Sequence, residues 1–214
     1  SISPGATPLK DSTHVMTQSN MWRMADDFWD NWKEILAMMN YAKQWQGTGG
    51  QGHWPDCDML QIGKLSKRGP VGPERYSRFT DDELRTHFTF WCIYQSPLMM
   101  GGNMPEDRPF DDSLLMNEEV IAVDQNAEHP KCIYQDSAKA IWISHVLNSK
   151  QINIAIFNLA NQTQNVSFSF KDIGSFKKAG LRDLWKRKDL GVCKNKFQQK
   201  MNAHAALLLR ISPQ

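Results

Sequence analysis

The chain has 214 residues, with 25 basic against 23 acidic side chains, a formal charge of +2 and 41% hydrophobic residues. That composition supports one large domain or two modest ones around a real core. It argues against the concentrated basic field that nucleic-acid or membrane-surface binding requires. No apolar run approaches the roughly 18 residues of a membrane span. Cys57, Cys92, Cys132 and Cys193 show no CxxC pair, which speaks against a zinc site or a dense disulfide framework while leaving one disulfide open. The six histidines form no spaced ligand set, so neither a metal nor another cofactor is expected.

The chain opens at Ser1 with no methionine and no signal-peptide pattern, as a cut sequence would. Ser1-Ile2-Ser3-Pro4-Gly5 reads as a strand end entering a loop, and Pro4 to Gln18 is rich in Pro, Gly, Ser and Thr. From Phe28 a helical period places Trp32, Ile35, Leu36 and Met39 on one face, ending before the flexible Gly47-Thr48-Gly49-Gly50-Gln51-Gly52. His53 to Gly63 reads as a short apolar strand approached by two carboxylates beside a tryptophan. Thr80 and Glu83 form a capping box for a helix that Ser96-Pro97 stops. Leu98 to Gly102 reads as a buried strand ending in glycines, Asp111 to Asn117 as a short helix, and Val120 to Val123 as a strand. Strand and helix alternating in this way indicate parallel βα units.

After about Pro130 the pattern changes to short, turn-bounded strands at 140–146, 152–157, 166–170 and 206–211, several of which alternate strictly. That predicts an antiparallel β-sandwich. The expected division is an α/β unit over residues 1–130 and a sandwich over 131–214. Asn161-Gln162-Thr163 and Asn165-Val166-Ser167 fit the N-glycosylation pattern, which is common by chance.

The chemistry concentrates in Asn20 to Trp32, which holds Arg23, Asp26, Asp27 and Asp30 among Trp22, Trp29 and Trp32. A pyranose stacks its apolar face on an indole and bonds its hydroxyls to charged groups, and a carboxyl pressed against an indole tends to keep its proton, as a general acid must. An amphipathic helix start with acids near its N-terminus explains the same residues equally well. The later motifs decide between the two. Trp22-Arg23 followed by Asp27-Phe28-Trp29-Asp30-Asn31-Trp32 resembles the W-R-x-x-x-D-x-x-D-x-W signature of the α-galactosidases and α-N-acetylgalactosaminidases of glycoside hydrolase family 27. Pro55-Asp56-Cys57-Asp58-Met59-Leu60-Gln61-Ile62-Gly63 is similar to that family's N-D-P-D-M-L-x-I-G motif. Trp91 to Met100 and Val120 to Gln125 resemble its next two segments. Four motifs in order, over roughly residues 20 to 126, make the resemblance specific.

The resemblance implies a TIM barrel, (β/α)₈, followed by an antiparallel β-domain. A full barrel takes about 250 residues and only about 130 precede the sandwich, so the expectation is the second half of a barrel. Retaining glycosidases use two carboxyls about 5 Å apart, a nucleophile and an acid/base. The resemblance puts the acid/base on Asp27, with Asp26 the rival if the register shifts by one. It puts sugar contacts on Arg23 and Asp58 and a pocket wall on Met59. Asp56 is as readily a turn residue as a contact, Trp54 as readily core as a stacking ring, and Ser3 falls near the position that reads the substituent on the sugar's second carbon. The family's K-Y-D nucleophile motif does not occur here and is expected N-terminal to Ser1. The 214 residues alone are therefore expected not to hydrolyse α-galactosides. A missing N-terminal half-barrel, a second chain or pairing between copies should cover the open sheet edge. The carbohydrate substrate is expected to carry α-linked galactose, or alternatively α-N-acetylgalactosamine or β-L-arabinopyranose; a non-catalytic carbohydrate-binding or structural remnant that lacks the nucleophile is the remaining alternative. Family resemblance suggests a secreted or periplasmic setting.

Overall fold

The computed structural model describes residues 1–2, 5–69 and 71–214; Ser3 lies outside them. Where composition suggested a loop, a short helix α1 (Ser12–Gln18) forms, anchored by Val15, its one buried residue. It leads into β1 (Met21–Arg23), and α2 (Trp32–Gln44) then returns the chain to β2 (Trp54–Asp56). β1 and β2 pair in parallel, Arg23 opposite Asp56, while Ile2 bridges Trp22 on the other side of β1. α2 starts four residues later than the hydrophobic period suggests. Asn31 is its N-cap, its side chain accepting the Lys33 N–H at 3.0 Å, a strongly favoured end signal. Its buried face is Ile35, Met38, Met39 and Ala42, with Leu36 on the flank.

β2 is shorter than expected: it ends at Asp56, so its carboxylates stand at its C-terminal end and Cys57 to Ile62 continue as irregular backbone. A small hairpin, β3 (Lys64–Leu65) and β4 (Arg75–Tyr76), carries the polar loop that follows. α3 (Asp81–Tyr94) begins at the predicted capping box, with both Thr80–Glu83 bonds formed. It ends where Gln95 adopts φ +65°, one residue before Ser96-Pro97. Leu98 to Gly102 is not a buried strand. It forms one parallel bridge, Met100 with Leu60, and Met99 is 38% exposed because no strand lies on its other side among the described residues. After α4 (Pro109–Leu115), the segment read as a strand is a helix, α5 (Glu118–Gln125). Asn117 accepts the N–H groups of Glu119 and Val120, and Val120 and Val123, three apart, become its buried side.

The C-terminal part is antiparallel. β5 (Ala127–Gln135), β6 (Lys139–Val146), β7 (Ile152–Asn158), β8 (Gln164–Ser169), β9 (Lys178–Asp183), β10 (Lys188–Lys194), β11 (Lys196–Met201) and β12 (Ala206–Pro213) form a six-stranded sheet and a two-stranded one. The large sheet runs β10-β9-β12-β7-β6-β5, and β8 pairs with β11. The fold is thus mixed α/β followed by a β-sandwich-like domain. Alternation sorts the large sheet's side chains. Ile141, Ile154, Ile156, Leu207 and Leu209 join Val166 and Phe168 in one core, while Trp142, Ala155, Phe157 and Leu208 face the α/β core. β7 is therefore buried along its whole length, and Asn153 on it is satisfied by Ser144 and Arg210.

α3 joins the two parts. From Thr86 to Tyr94 every residue is buried, as expected of a helix packed on more than one side. Phe90 meets Trp142 edge-on at 5.4 Å and Phe157 at 6.0 Å. A second junction lies at His204, on the turn before β12 with φ +58°. Its ring stacks on Trp32 at 3.9 Å, Nδ1 lies 2.6 Å from Glu83 Oε1, and Nε2 lies 2.8 Å from Asn161 Oδ1. Among the described residues no helix is long and apolar enough to cross a membrane, no three potential ligands group as a metal site, and the four cysteines are unpaired.

Candidate active site

Parallel pairing of β1 with β2 brings Arg23 and Asp56 side by side at the C-terminal ends of both strands, the end at which parallel α/β units carry their chemistry. The irregular loops that follow supply the remaining groups. Arg23 is 8% exposed; its Nη2 lies 2.9 Å from Asp58 Oδ2 and 3.5 Å from Asp27 Oδ1. The two carboxylates differ sharply, the Asp58 side chain being 6% exposed and that of Asp27 76%. Asp26, the register rival, is exposed and accepts the N–H of Ala6 at 3.1 Å. The Arg23 Nε is buried without a protein hydrogen-bond partner.

Asp58 is held from several sides. Its φ of +74° lies in the left-handed region, uncommon for a residue other than glycine, and the surroundings enforce it. Its N–H donates to Asp56 Oδ1, Trp91 Nε1 donates to its carbonyl, and its Oδ2 accepts the Phe28 N–H, each at 2.8 Å. Asp56 is 2% exposed. Burial pushes its carboxyl up to about 6; the Asp58 N–H bond opposes this and the Asp58 charge adds to it. Asp56 is thus not a solvent-exposed turn residue: it is buried and braces Asp58 by accepting its N–H.

Several participants were not singled out from the sequence. Gln61 donates to the Phe28 carbonyl at 2.8 Å and its N–H donates to His87 Nε2 at 3.0 Å. Burial holds His87 down at about 3, so the imidazole is neutral and Nε2 is free to accept. Phe28 packs against His87 at 5.0 Å and Trp91 at 4.9 Å, fixing the loop that carries Asp27. Gln61 and Trp91 both lie inside the quoted motif segments, which was the available signal. A second clamp is Asp30, 2% exposed, paired with Arg75 through two bonds of 3.0 and 2.5 Å and accepting the Arg78 N–H at 2.9 Å. Met59 is 41% exposed. Trp54 lies at the other end of β2, lining a cavity of about 400 Å³ with Trp45 and Tyr94, away from this cluster.

This geometry can be set beside known proteins. The family model described as "Alpha galactosidase A" matches residues 5–126, and "Alpha galactosidase C-terminal beta sandwich domain" matches residues 136–211. The chain belongs to glycoside hydrolase family 27. A family 27 β-L-arabinopyranosidase from Geobacillus stearothermophilus is 38% identical with a TM-score of 0.94, over 99% of this chain and 49% of that one. A Bacillus halodurans protein provisionally assigned as an α-N-acetylgalactosaminidase is 32% identical with a TM-score of 0.84, over 100% and 49% of the respective chains. Alpha-galactosidase 2 of Arabidopsis thaliana is 25% identical over 197 residues, 90% of this chain and 46% of its own length. The chain spans about half the length of these relatives.

Proposed function

We propose that residues 1–130 are the second half of a (β/α)₈ barrel and residues 131–214 its sandwich, together the acid/base-bearing portion of a retaining exo-glycosidase that removes terminal α-linked galactose. The observation that carries this reading is Arg23 bridging an exposed and a buried carboxylate, Asp27 and Asp58, at the C-terminal end of two parallel strands. Asp27 protonates the glycosidic oxygen as the bond breaks, then takes a proton from the water that releases the sugar. Arg23 and Asp58 hold the sugar hydroxyls, and Met59 walls the pocket. The Arg23 contact favours Asp27 over Asp26, which faces Ala6 instead. The nucleophile comes from a K-Y-D strand, on an N-terminal half-barrel or a second chain. Two open backbone edges support a partner of this kind: Ile2 pairs only with Trp22, and Met100 only with Leu60, among the described residues.

A second reading keeps the mechanism and changes the sugar. β-L-Arabinopyranose has the ring stereochemistry of α-galactose without the hydroxymethyl group, and the 38% identity to an arabinopyranosidase favours it. Nitrophenyl glycosides of both sugars decide, by the ratio of their kcat/KM values on the nucleophile-bearing protein. Asp27→Asn should lower turnover there by about 10²–10⁴-fold, and the 214 residues alone should show none. Turnover by the 214-residue chain that Asp27→Asn abolishes would refute the missing nucleophile. Turnover that survives the substitution would refute the acid.

A further inference from the structure

The leaving group must lie where Asp27 can protonate its oxygen. Two residues along the same loop stands Trp29, a half-buried indole. Arg75 Cζ lies 5.8 Å from its ring centroid, within cation–π range. That guanidinium is fully engaged by protein: Nε and Nη2 bond to Asp30, and Nη1 bonds to Ser66 Oγ at 3.0 Å and to the Pro73 carbonyl at 3.2 Å. It has little capacity left to pair with a substrate anion. What it does is lock the 64–79 loop to the acid loop and hold the indole plane still. Asp30, 2% exposed at the base of this arrangement, keeps its charge paired there, since a buried carboxylate without its partners would be costly.

We infer that the Trp29–Arg75 pair is the platform for the leaving group, and that it takes one with a broad apolar face: an aryl ring or the apolar face of a second pyranose. This rests on Asp27 being the acid. A rigid indole offers large contact area at low entropic cost, and a platform two residues from the acid on the same loop would hold the leaving-group oxygen in line for proton transfer. Small leaving groups gain nothing from it.

The test compares Trp29→Leu, which keeps apolar bulk against Arg75, with the unsubstituted, nucleophile-bearing protein on three substrates. With p-nitrophenyl α-galactoside and with melibiose, kcat/KM should fall about tenfold, the effect of roughly 1.4 kcal/mol. With galactosyl fluoride, whose leaving group has no face, it should change less than about twofold. A fall with the aryl glycoside alone assigns the platform to aryl groups, and with melibiose alone to sugars. An equal fall on all three substrates overturns the inference, since a merely structural tryptophan would act that way. Saturation-transfer NMR on the 214-residue chain gives an answer independent of turnover. Aryl or glucose protons should receive saturation that Trp29→Leu removes. Saturation confined to the galactose ring, or no saturation, overturns the platform; aryl or glucose saturation without any at galactose counts against the sugar-site reading and spares the platform.

Discussion

Replacing Asp56 with Asn tests the buried brace. The substitution keeps an oxygen to accept the Asp58 N–H, now at 2.8 Å, and removes only the ionisation. In the folded chain the carboxyl sits at about 6 against an ordinary 3.8, because burial penalises the charge. A shift of about 2 units at 1.36 kcal/mol each corresponds to about 3 kcal/mol. The folded state binds this proton more tightly than the unfolded chain does, so the associated stability is complete below about pH 4 and is lost as pH rises through about 6. Above that the protein carries a buried, ionised Asp56 and the variant does not. Urea denaturation of both proteins between pH 4 and 8 should show the variant gaining relative to the original by about 3 kcal/mol across that window, then no further change. A difference that stays constant over the whole range would refute the reasoning.

Further substitutions probe the frame. Phe90→Ala opens a cavity walled by Tyr94, Trp142 and Phe157; a loss of about 3–5 kcal/mol, or about 6–20 °C in Tm for a chain of this size, is expected in a thermal melt. Asp30→Ala strands Arg75 and the Arg78 N–H, costing about 3–5 kcal/mol, whereas Asp30→Leu combined with Arg75→Met should cost less than Asp30→Ala alone in urea denaturation. Although burial works against ionisation of Asp30, its bonds to Arg75 and the Arg78 N–H prevail and hold the carboxyl below its ordinary range. The contribution of the clamp is therefore complete above about pH 4 and is lost as pH falls below the folded value.

What could be read from the residues depended on how local the signal was. The α3 capping box, Thr80 with Glu83, and the alternation of Ile152 to Phe157 are short-range patterns, and both appear in the structure where expected. Val120 to Val123 misled because a β-branched run suits a strand. The competing signal was Asn117-Glu118-Glu119, a helix start, and packing against α3 favoured that outcome. β5, β9, β10 and β11 were missed, since β10 is an exposed edge with little apolar periodicity and β11 alternates only weakly. In the site, Arg23, Asp27 and Asp58 were named through the resemblance and do come together. The Asp30–Arg75 clamp was invisible because its partners are 45 residues apart and are united only by the hairpin of β3 and β4. Asp56 could not be placed as a brace because its burial is a tertiary property.

The His204 ring, stacked on Trp32, bears on inheritance as well as packing. Trp32 is the first residue of α2, immediately after the acid loop closes at Asn31, so a turn of the sandwich holds down the segment that carries Asp27. Thr86 Oγ1 also donates to the His204 carbonyl at 2.5 Å, and Glu83 serves both the α3 cap and the imidazole. A graft that lacks an aromatic or imidazole ring on the turn before its last strand would forfeit this stack, about 0.5–1.5 kcal/mol, at the first residue of the helix that follows the Asp27 loop, so the turn and Trp32 are expected to change together.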